Sequence, residues 1–224
     1  MFTPVLAPEQ RQKLDTSDDT LFYDFPRFVT HVDEGFIQKL TQLYRERLKP
    51  GGKILDLMSS WVSHLPPEIE FSEVVGHGMN AEELAKNPRL TRYFTQNLNQ
   101  NQNLPLENNY FDAVLNTVSV QYLQYPELVF QEIHRILKPG GMVIVSFSNR
   151  MFYQKAIQVW RDGTEQTRIQ LVKQYIQSVN GFSNPEVIAH RNLSVNPVLA
   201  LMGLGAGDPF YVLLAEKINS AERD

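Results

Sequence analysis

The chain of 224 residues contains no cysteine. That excludes disulfides, thiol nucleophiles and cysteine-ligated zinc, and it fits a reducing compartment. Cationic runs are also missing: the net charge is −4, and no basic run exceeds two residues. Affinity for nucleic acid rests on basic patches that neutralise phosphates, so no nucleic-acid partner is expected. No stretch approaches the ~18 apolar residues of a membrane-spanning helix. Met1 to Gln10 has neither the basic start nor the apolar core of a signal peptide, so a cytoplasmic location is expected. His64 and His77 show no metal-ligand spacing, and no metal is expected. No G-x-G-x-x-G run follows a strand to seat a dinucleotide phosphate. Gly203-Leu204-Gly205-Ala206-Gly207 lies near the C-terminus in a turn setting and does not qualify.

What is present is an alternation of helical and strand patterns, on a length that suits one large α/β domain. Leu48-Lys49-Pro50-Gly51-Gly52 and Leu137-Lys138-Pro139-Gly140-Gly141 each read as helix, tight turn, strand, because Pro cannot continue a helix and Gly can take the left-handed conformation that follows. Near-continuous apolar runs mark strands buried on both faces: 53–58, 73–77, a weaker one at 91–96, 111–116 and 141–147. Val129, Ile133, Ile136 and Leu137 form one helical stripe starting near Pro126. Ile169, Val172, Ile176 and Val179 form another, ended by Asn180-Gly181. Phe36, Leu40, Leu43, Tyr44 and Leu48 mark a helix before the first strand. Strands alternating with helices predict a parallel sheet. At the C-terminus, 185–193 and 209–216 read as strands without a convincing helix between them, so they are expected to pair antiparallel; 196–208 reads as a Gly- and Pro-rich connection with room for a helical turn.

That ending, together with Leu104-Pro105-Leu106, Tyr110-Phe111-Asp112-Ala113-Val114 and Gln131-Glu132-Ile133-His134-Arg135-Ile136-Leu137-Lys138-Pro139-Gly140-Gly141, resembles the class I S-adenosylmethionine (SAM) methyltransferases, the type 11 small-molecule group in particular. The resemblance spans about Phe36 to Lys217. It implies a Rossmann-like three-layer sandwich with a mostly parallel seven-stranded sheet and an antiparallel C-terminal strand pair. It also implies one methyltransferase-like domain over residues 1–224, with 1–35 as an N-terminal cap segment. Ligands of open α/β sheets bind at the carboxyl ends of the strands, which gathers 56–60, 76–80, 96–99 and 116–119 around one crevice. In the family these loops hold, in turn, the methionine portion of SAM, its ribose, its adenine, and the cofactor with its acceptor. The resemblance therefore implies Asp56, Met58, Ser59, Ser60, Gly78, Asn80, Asn97, Leu98 and Asn116 as cofactor contacts.

The chain departs from the family at the first loop. The usual D-L-G-x-G-x-G is here Asp56-Leu57-Met58-Ser59-Ser60-Trp61-Val62, with Met58, Ser60 and Val62 in place of the glycines. A non-glycine residue in left-handed geometry costs roughly 1–2 kcal/mol, so a different loop path, or a differently seated cofactor, is expected. Asp56 is retained, either as a cofactor contact or as a carboxylate bonded to nearby backbone amides. Gly78 stands where the ribose-gripping acid is usual. Asn80 either replaces that acid or caps the helix that begins at Ala81, and Asn97 either meets the adenine or forms a polar turn. Loss of two acidic partners without replacement costs roughly 3–6 kcal/mol, about 10²–10⁴ in affinity. Ser59, Ser60, Trp61 and Asn80 are the groups at hand to compensate. Without compensation, the alternative is a methyltransferase-fold binding or assembly protein that has lost methyl transfer.

On the acceptor side, the segment from Tyr23 to His31 covers the pocket in related folds. His31, Trp61, Gln121, Tyr122 and Arg150 are the candidate substrate contacts, followed by an expected aromatic-rich helix carrying Phe152, Tyr153 and Trp160. His31 reads either as a base or as a hydrogen-bonded structural histidine, and Arg150 either as a carboxylate binder or as a solvated surface residue. Methyl transfer needs proximity and exclusion of water more than a fixed catalytic group, so no catalytic residue is named. The partner expected is a small-molecule acceptor.

Overall fold

The computed structural model describes residues 4–190 and 207–218. Its frame is one seven-stranded sheet. The strands are β1 (Lys53–Leu57), β2 (Glu73–Gly78), β3 (Arg92–Thr95), β4 (Phe111–Thr117), β5 (Leu137–Phe147), β6 (Glu186–His190) and β7 (Phe210–Glu216), in the order β3-β2-β1-β4-β5-β7-β6. The first five pair in parallel, while β7 runs antiparallel to both β5 and β6. The expected sandwich with its antiparallel ending is thus the observed one. Of the C-terminal segments, 191–193 and 196–206 lie outside the described residues, and with them most of the glycine run at 203–207.

Six helices are described: α1 (Asp19–Tyr23), α2 (Glu34–Arg47), α3 (Ala81–Lys86), α4 (Pro126–Ile136), α5 (Gln158–Arg161) and α6 (Glu165–Gln177). Helix α2 buries Phe36, Leu40, Leu43 and Tyr44 on one face of the sheet, against Ile54, Leu115, Ile144 and Val212. Helices α4 and α6 bury Val129, Ile133, Ile136, Ile169, Val172 and Ile176 on the other, against Leu55, Val114, Val143 and Leu213. The two faces separate because successive strand side chains point to opposite sides. Each such aliphatic side chain contributes about 1.5–3 kcal/mol on burial. Pro126 sits in the first turn of α4, where its missing N–H has no intrahelical partner to lose.

Two boundaries differ from expectation. Strand β5 begins at Leu137 rather than Gly141, because Leu137 already pairs with Phe111 and the Pro-Gly-Gly turn is absorbed as a register shift. Gly140 there takes φ 75 and Gly51 takes φ 73 in the matching earlier turn. The aromatic segment after β5 is not a helix through Phe152 and Tyr153; only Gln158–Arg161 is helical. Its backbone bonds to other segments instead: Asp15 N–H donates to Gln154 O, Ile157 N–H to Gln121 O and Gln158 N–H to Gln12 O.

Those bonds belong to a larger clamp on the N-terminal segment. Arg11 pairs with the buried Glu127 and also donates to Gln124 O and, at 2.8 Å, to Leu6 O. The ammonium of Lys155, whose side chain is 1% exposed, lies 3.0 Å from Asp15 and 3.4 Å from Asp19, and Lys13 donates to Asp19 at 2.6 Å. At its far end, the N–H of Asp33 donates to Asp208 and that of Asp208 to Asp33, at 2.8 and 2.6 Å. Buried ions persist where each finds a partner. Here the partners hold residues 4–33 across the carboxyl ends of the strands.

Candidate functional site

A cavity of about 340 Å³ opens at the carboxyl ends of β1, β2, β3 and β4, beneath the N-terminal segment. That volume falls within the range of small-molecule sites. Its wall contains Asp56, Met58, Ser59, Ser60, Gly78, Asn80, Asn97 and Leu98 from the expected cofactor loops, and His31, Trp61, Tyr122 and Arg150 from the expected acceptor side. Two candidates stand behind the wall. Asn116 is buried, with its amide directed to Leu57 O at 3.4 Å. Gln121 is buried and donates to Val118 O at 2.9 Å.

The first loop does not avoid left-handed geometry; it adopts it without glycine. Met58 has φ 58, so the strain of about 1–2 kcal/mol anticipated from the sequence is present at the first of the three substituted positions. Val118, at the end of β4 and also on the wall, has φ 51. A β-branched residue there is an outlier, and such residues gather at functional sites. Ser60 and Val62 carry no positive φ. The carboxylate of Asp56 accepts the Ser59 hydroxyl at 2.6 Å, a side-chain partner rather than the backbone amides considered above. Burial pushes its pKa up to about 6, against the opposing hydrogen bonds of Ser59 and Ser63.

Gly78 cannot carry an acid, for a steric reason. A Cβ there would lie 2.6 Å from Ser59 O. The first loop runs so close to the end of β2 that only glycine fits. An acid does reach the wall from Glu83, five residues further on in α3, and the sequence reading missed it. Its carboxylate is buried at the cavity wall, where it accepts the Ser60 hydroxyl at 2.6 Å and the Arg27 N–H at 2.7 Å. The only local signal was an acid in the first turn after β2, which ordinarily serves the helix dipole.

Asn80 acts as the helix cap. Its Oδ1 accepts Glu83 N–H at 3.0 Å, while its amide donates to Tyr23 O and Asp24 O at 2.9 and 3.1 Å. Asn80→Ala is expected to destabilise the protein by about 1 kcal/mol, seen as a lower urea midpoint with unchanged slope. Asn97 forms the polar turn, its Oδ1 accepting Asn99 N–H at 2.9 Å, and Leu98 packs in the core at the wall.

On the acceptor side, the His31 ring meets Phe152 edge-on, with centroids 5.2 Å apart. It makes no hydrogen bond among the described residues. Desolvation lowers its pKa. Arg150 pairs with Asp208 at 2.7 Å, its side chain 59% exposed. Tyr122 stacks on Phe152 and accepts its N–H at 2.8 Å. The Ser119 hydroxyl is buried at the wall without a protein partner among the described residues. The wall's charged groups are the carboxylates of Asp19, Asp56 and Glu83 and the guanidiniums of Arg27 and Arg150.

The described residues contain no cluster of His, Cys, Asp or Glu able to hold a metal, and no helix long and apolar enough to cross a membrane. Residues 69–145 match the family model of a methyltransferase domain. The matched span runs from just before β2 to within β5, and so includes the second, third and fourth loops but not the altered first loop. The fold is similar to that of the [4+2]-cyclase SpnF, at 16% identity and a TM-score of 0.60, over 96% of this chain and 99% of that one. It is similar to a putative methyltransferase of Haloferax volcanii solved with the activator Trm112, at 13% identity and a TM-score of 0.58, over 83% and 95%. It is also similar to phosphoethanolamine N-methyltransferase 2 of Haemonchus contortus in complex with SAM, at 18% identity and a TM-score of 0.54, over 81% of this chain and 52% of that one. No curated protein matches the sequence significantly.

Proposed function

We infer that this chain is a class I SAM-dependent methyltransferase that binds SAM in the cavity at the ends of β1, β2, β3 and β4 and transfers its methyl group to a small-molecule acceptor, a reading supported by its fold and by the methyltransferase-domain match of residues 69–145. The observation that carries this is the cavity itself: four loops at the carboxyl ends of parallel strands, with carboxylates and an unpartnered hydroxyl on the wall. The residues fit the cofactor. Asp56 would meet the methionine portion, Glu83 would supply the acid that Gly78 cannot, and Leu98 would offer an apolar surface at the third loop. Asp56 and Glu83 line the wall with no ion-pair partner among the described residues, which favours a cationic ligand.

When bound, SAM supplies an electrophilic methyl group on a sulfonium centre. The chain's own residues position the acceptor and exclude water, which can lower a barrier by roughly 7–11 kcal/mol. The clamped segment covers the cavity, and His31, at the wall with its pKa lowered by desolvation and no hydrogen bond among the described residues, is placed to accept a proton where the acceptor atom carries one. Phe28 and Val29, 46% and 56% exposed, flank Trp61 at the opening, which favours an acceptor with an apolar portion. The absence of a membrane-spanning helix among the described residues is compatible with a cytoplasmic enzyme.

Titration calorimetry with SAM and S-adenosylhomocysteine tests the reading. Saturable heat at micromolar to submillimolar ligand is expected, and no heat at millimolar concentrations of either ligand sinks it. The similar fold of a [4+2]-cyclase makes the acceptor assay a separate question, since fold does not fix reaction. Mass spectrometry of ligand released from the purified protein is expected to find SAM or its demethylated product.

A further inference from the structure

The first loop holds a left-handed methionine where the family pattern has glycine, and one side chain is built around that departure. His77, in β2, is 1% exposed. Its Nδ1 lies 3.1 Å from Met58 N, and its Nε2 lies 3.0 Å from Gln96 O. A backbone N–H can only donate and a carbonyl can only accept. The ring must therefore be the neutral tautomer with its proton on Nε2, accepting from Met58 and donating to Gln96. The backbone of this residue and the next continues the lacing: Ser59 N–H donates to His77 O at 2.6 Å, and Gln96 N–H donates to Gly78 O at 3.1 Å. The ring also rests on Phe94, with centroids 5.1 Å apart. Leu57 and Phe94 are its register partners on β1 and β3. One imidazole thus ties together the loops after β1 and β3.

We propose that His77 is a positioning residue for the cofactor loops, holding Met58 in its left-handed conformation so that a loop without glycines still presents Asp56, Ser59 and Ser60 to the ligand. This rests on the SAM reading above for what the loop binds, though not for how it is held. A glycine at position 58 adopts positive φ without strain, and a strained residue persists only where its surroundings over-determine it. The bond from Met58 N–H to the ring is that over-determination. A glycine at this position needs no such bonded imidazole, because its loop conformation is intrinsically free.

The test compares His77→Leu, His77→Asn, Met58→Gly and the His77→Leu/Met58→Gly pair, with S-adenosylhomocysteine as the probe and calorimetry as the readout. His77→Leu is expected to weaken binding about tenfold, while His77→Asn, which keeps an acceptor near Nδ1, recovers part of the loss. In the Met58→Gly background the His77→Leu penalty is expected to shrink to about twofold, a coupling that a merely structural histidine does not produce. Equal penalties in both backgrounds overturn the proposal. Nitrogen-15 NMR of the ligand-free wild type provides a second readout that survives a poorly folded variant. It is expected to show a neutral ring protonated at Nε2, and protonation at Nδ1 overturns the proposal. If the wild type shows this tautomer but binds no ligand, the positioning role stands and the cofactor reading fails.

Discussion

Replacing Asp56 by Asn is expected to stabilise the ligand-free protein at neutral pH while weakening its hold on SAM. The carboxylate is 3% exposed, and no cation among the described residues pairs with it; burial lifts its pKa from 3.8 to about 6. Below pH ~4 the carboxyl is protonated in both the folded and the unfolded chain, and it contributes no pH dependence. As pH rises from about 4 to 6 the unfolded chain releases the proton while the folded one keeps it. The folded state then binds more protons, and stability falls. Above about pH 6 the full cost is present, on the order of 3 kcal/mol for two pK units. Asn keeps an acceptor for the Ser59 hydroxyl and has no charge to desolvate. Urea unfolding of both proteins from pH 4 to 8 is expected to show curves that separate between pH 4 and 6 and stay parallel above. A variant less stable than wild type at pH 8 contradicts the assignment. His77 acts in the opposite sense: burial holds its pKa down to about 4, so its contribution is present above pH 6.5 and lost as pH falls toward 4. The difference between wild type and the Asn variant isolates Asp56 from it. Calorimetry is expected to show SAM binding weakened about 10–100-fold, the range of one hydrogen bond to a charged group.

Glu83→Gln is expected to reduce SAM affinity by about 100-fold, and to do so with a change in the covering segment. The carboxylate accepts from both the Ser60 hydroxyl and the Arg27 N–H. It therefore joins the first cofactor loop to the segment above the cavity. A carboxylate accepts from both, whereas Gln has a donor at one end: turned to Arg27 it meets another donor, and turned to Ser60 it forces the hydroxyl to accept, in each case with loss of the charged acceptor. Bonds to a charged acceptor contribute about 1.5–3 kcal/mol each. Hydrogen exchange of the Arg27 amide in the ligand-free variant is expected to quicken, which separates loss of the covering segment from loss of the ribose contact. Unchanged affinity for SAM in a variant with faster Arg27 exchange removes Glu83 from the cofactor site. Glu82, its neighbour in α3, is exposed, and Glu82→Gln is expected to leave both readouts unchanged.

Much of the frame was legible because it rests on local rules. The Pro-Gly-Gly turns, the strand runs and the stripes of α2, α4 and α6 each follow from steric limits and side-chain periodicity within about 15 residues. The lack of a helical pattern between the last two strands was enough to set β7 antiparallel to β6. The helix expected through Phe152 and Tyr153 failed because its backbone groups found partners in Gln12, Asp15 and Gln121, which no local pattern encodes.

The site divides along the same line. The sequence alone identified the four loops, and it located the departure at Met58, Ser60, Val62 and Gly78. Tertiary structure decided what that departure means. Gly78 is required because Ser59 O passes where a Cβ would sit. The acid reappears at Glu83 because α3 turns that side chain back toward the loop it braces. Met58 keeps a glycine's conformation because His77, nineteen residues away, bonds its amide. Asn116 and Gln121 left the wall because their amides point to Leu57 O and Val118 O. A strand sequence determines that a loop lies at its carboxyl end. Which atoms of that loop face the ligand depends on contacts between segments distant in the chain, and those exist only once the sheet has brought the segments together.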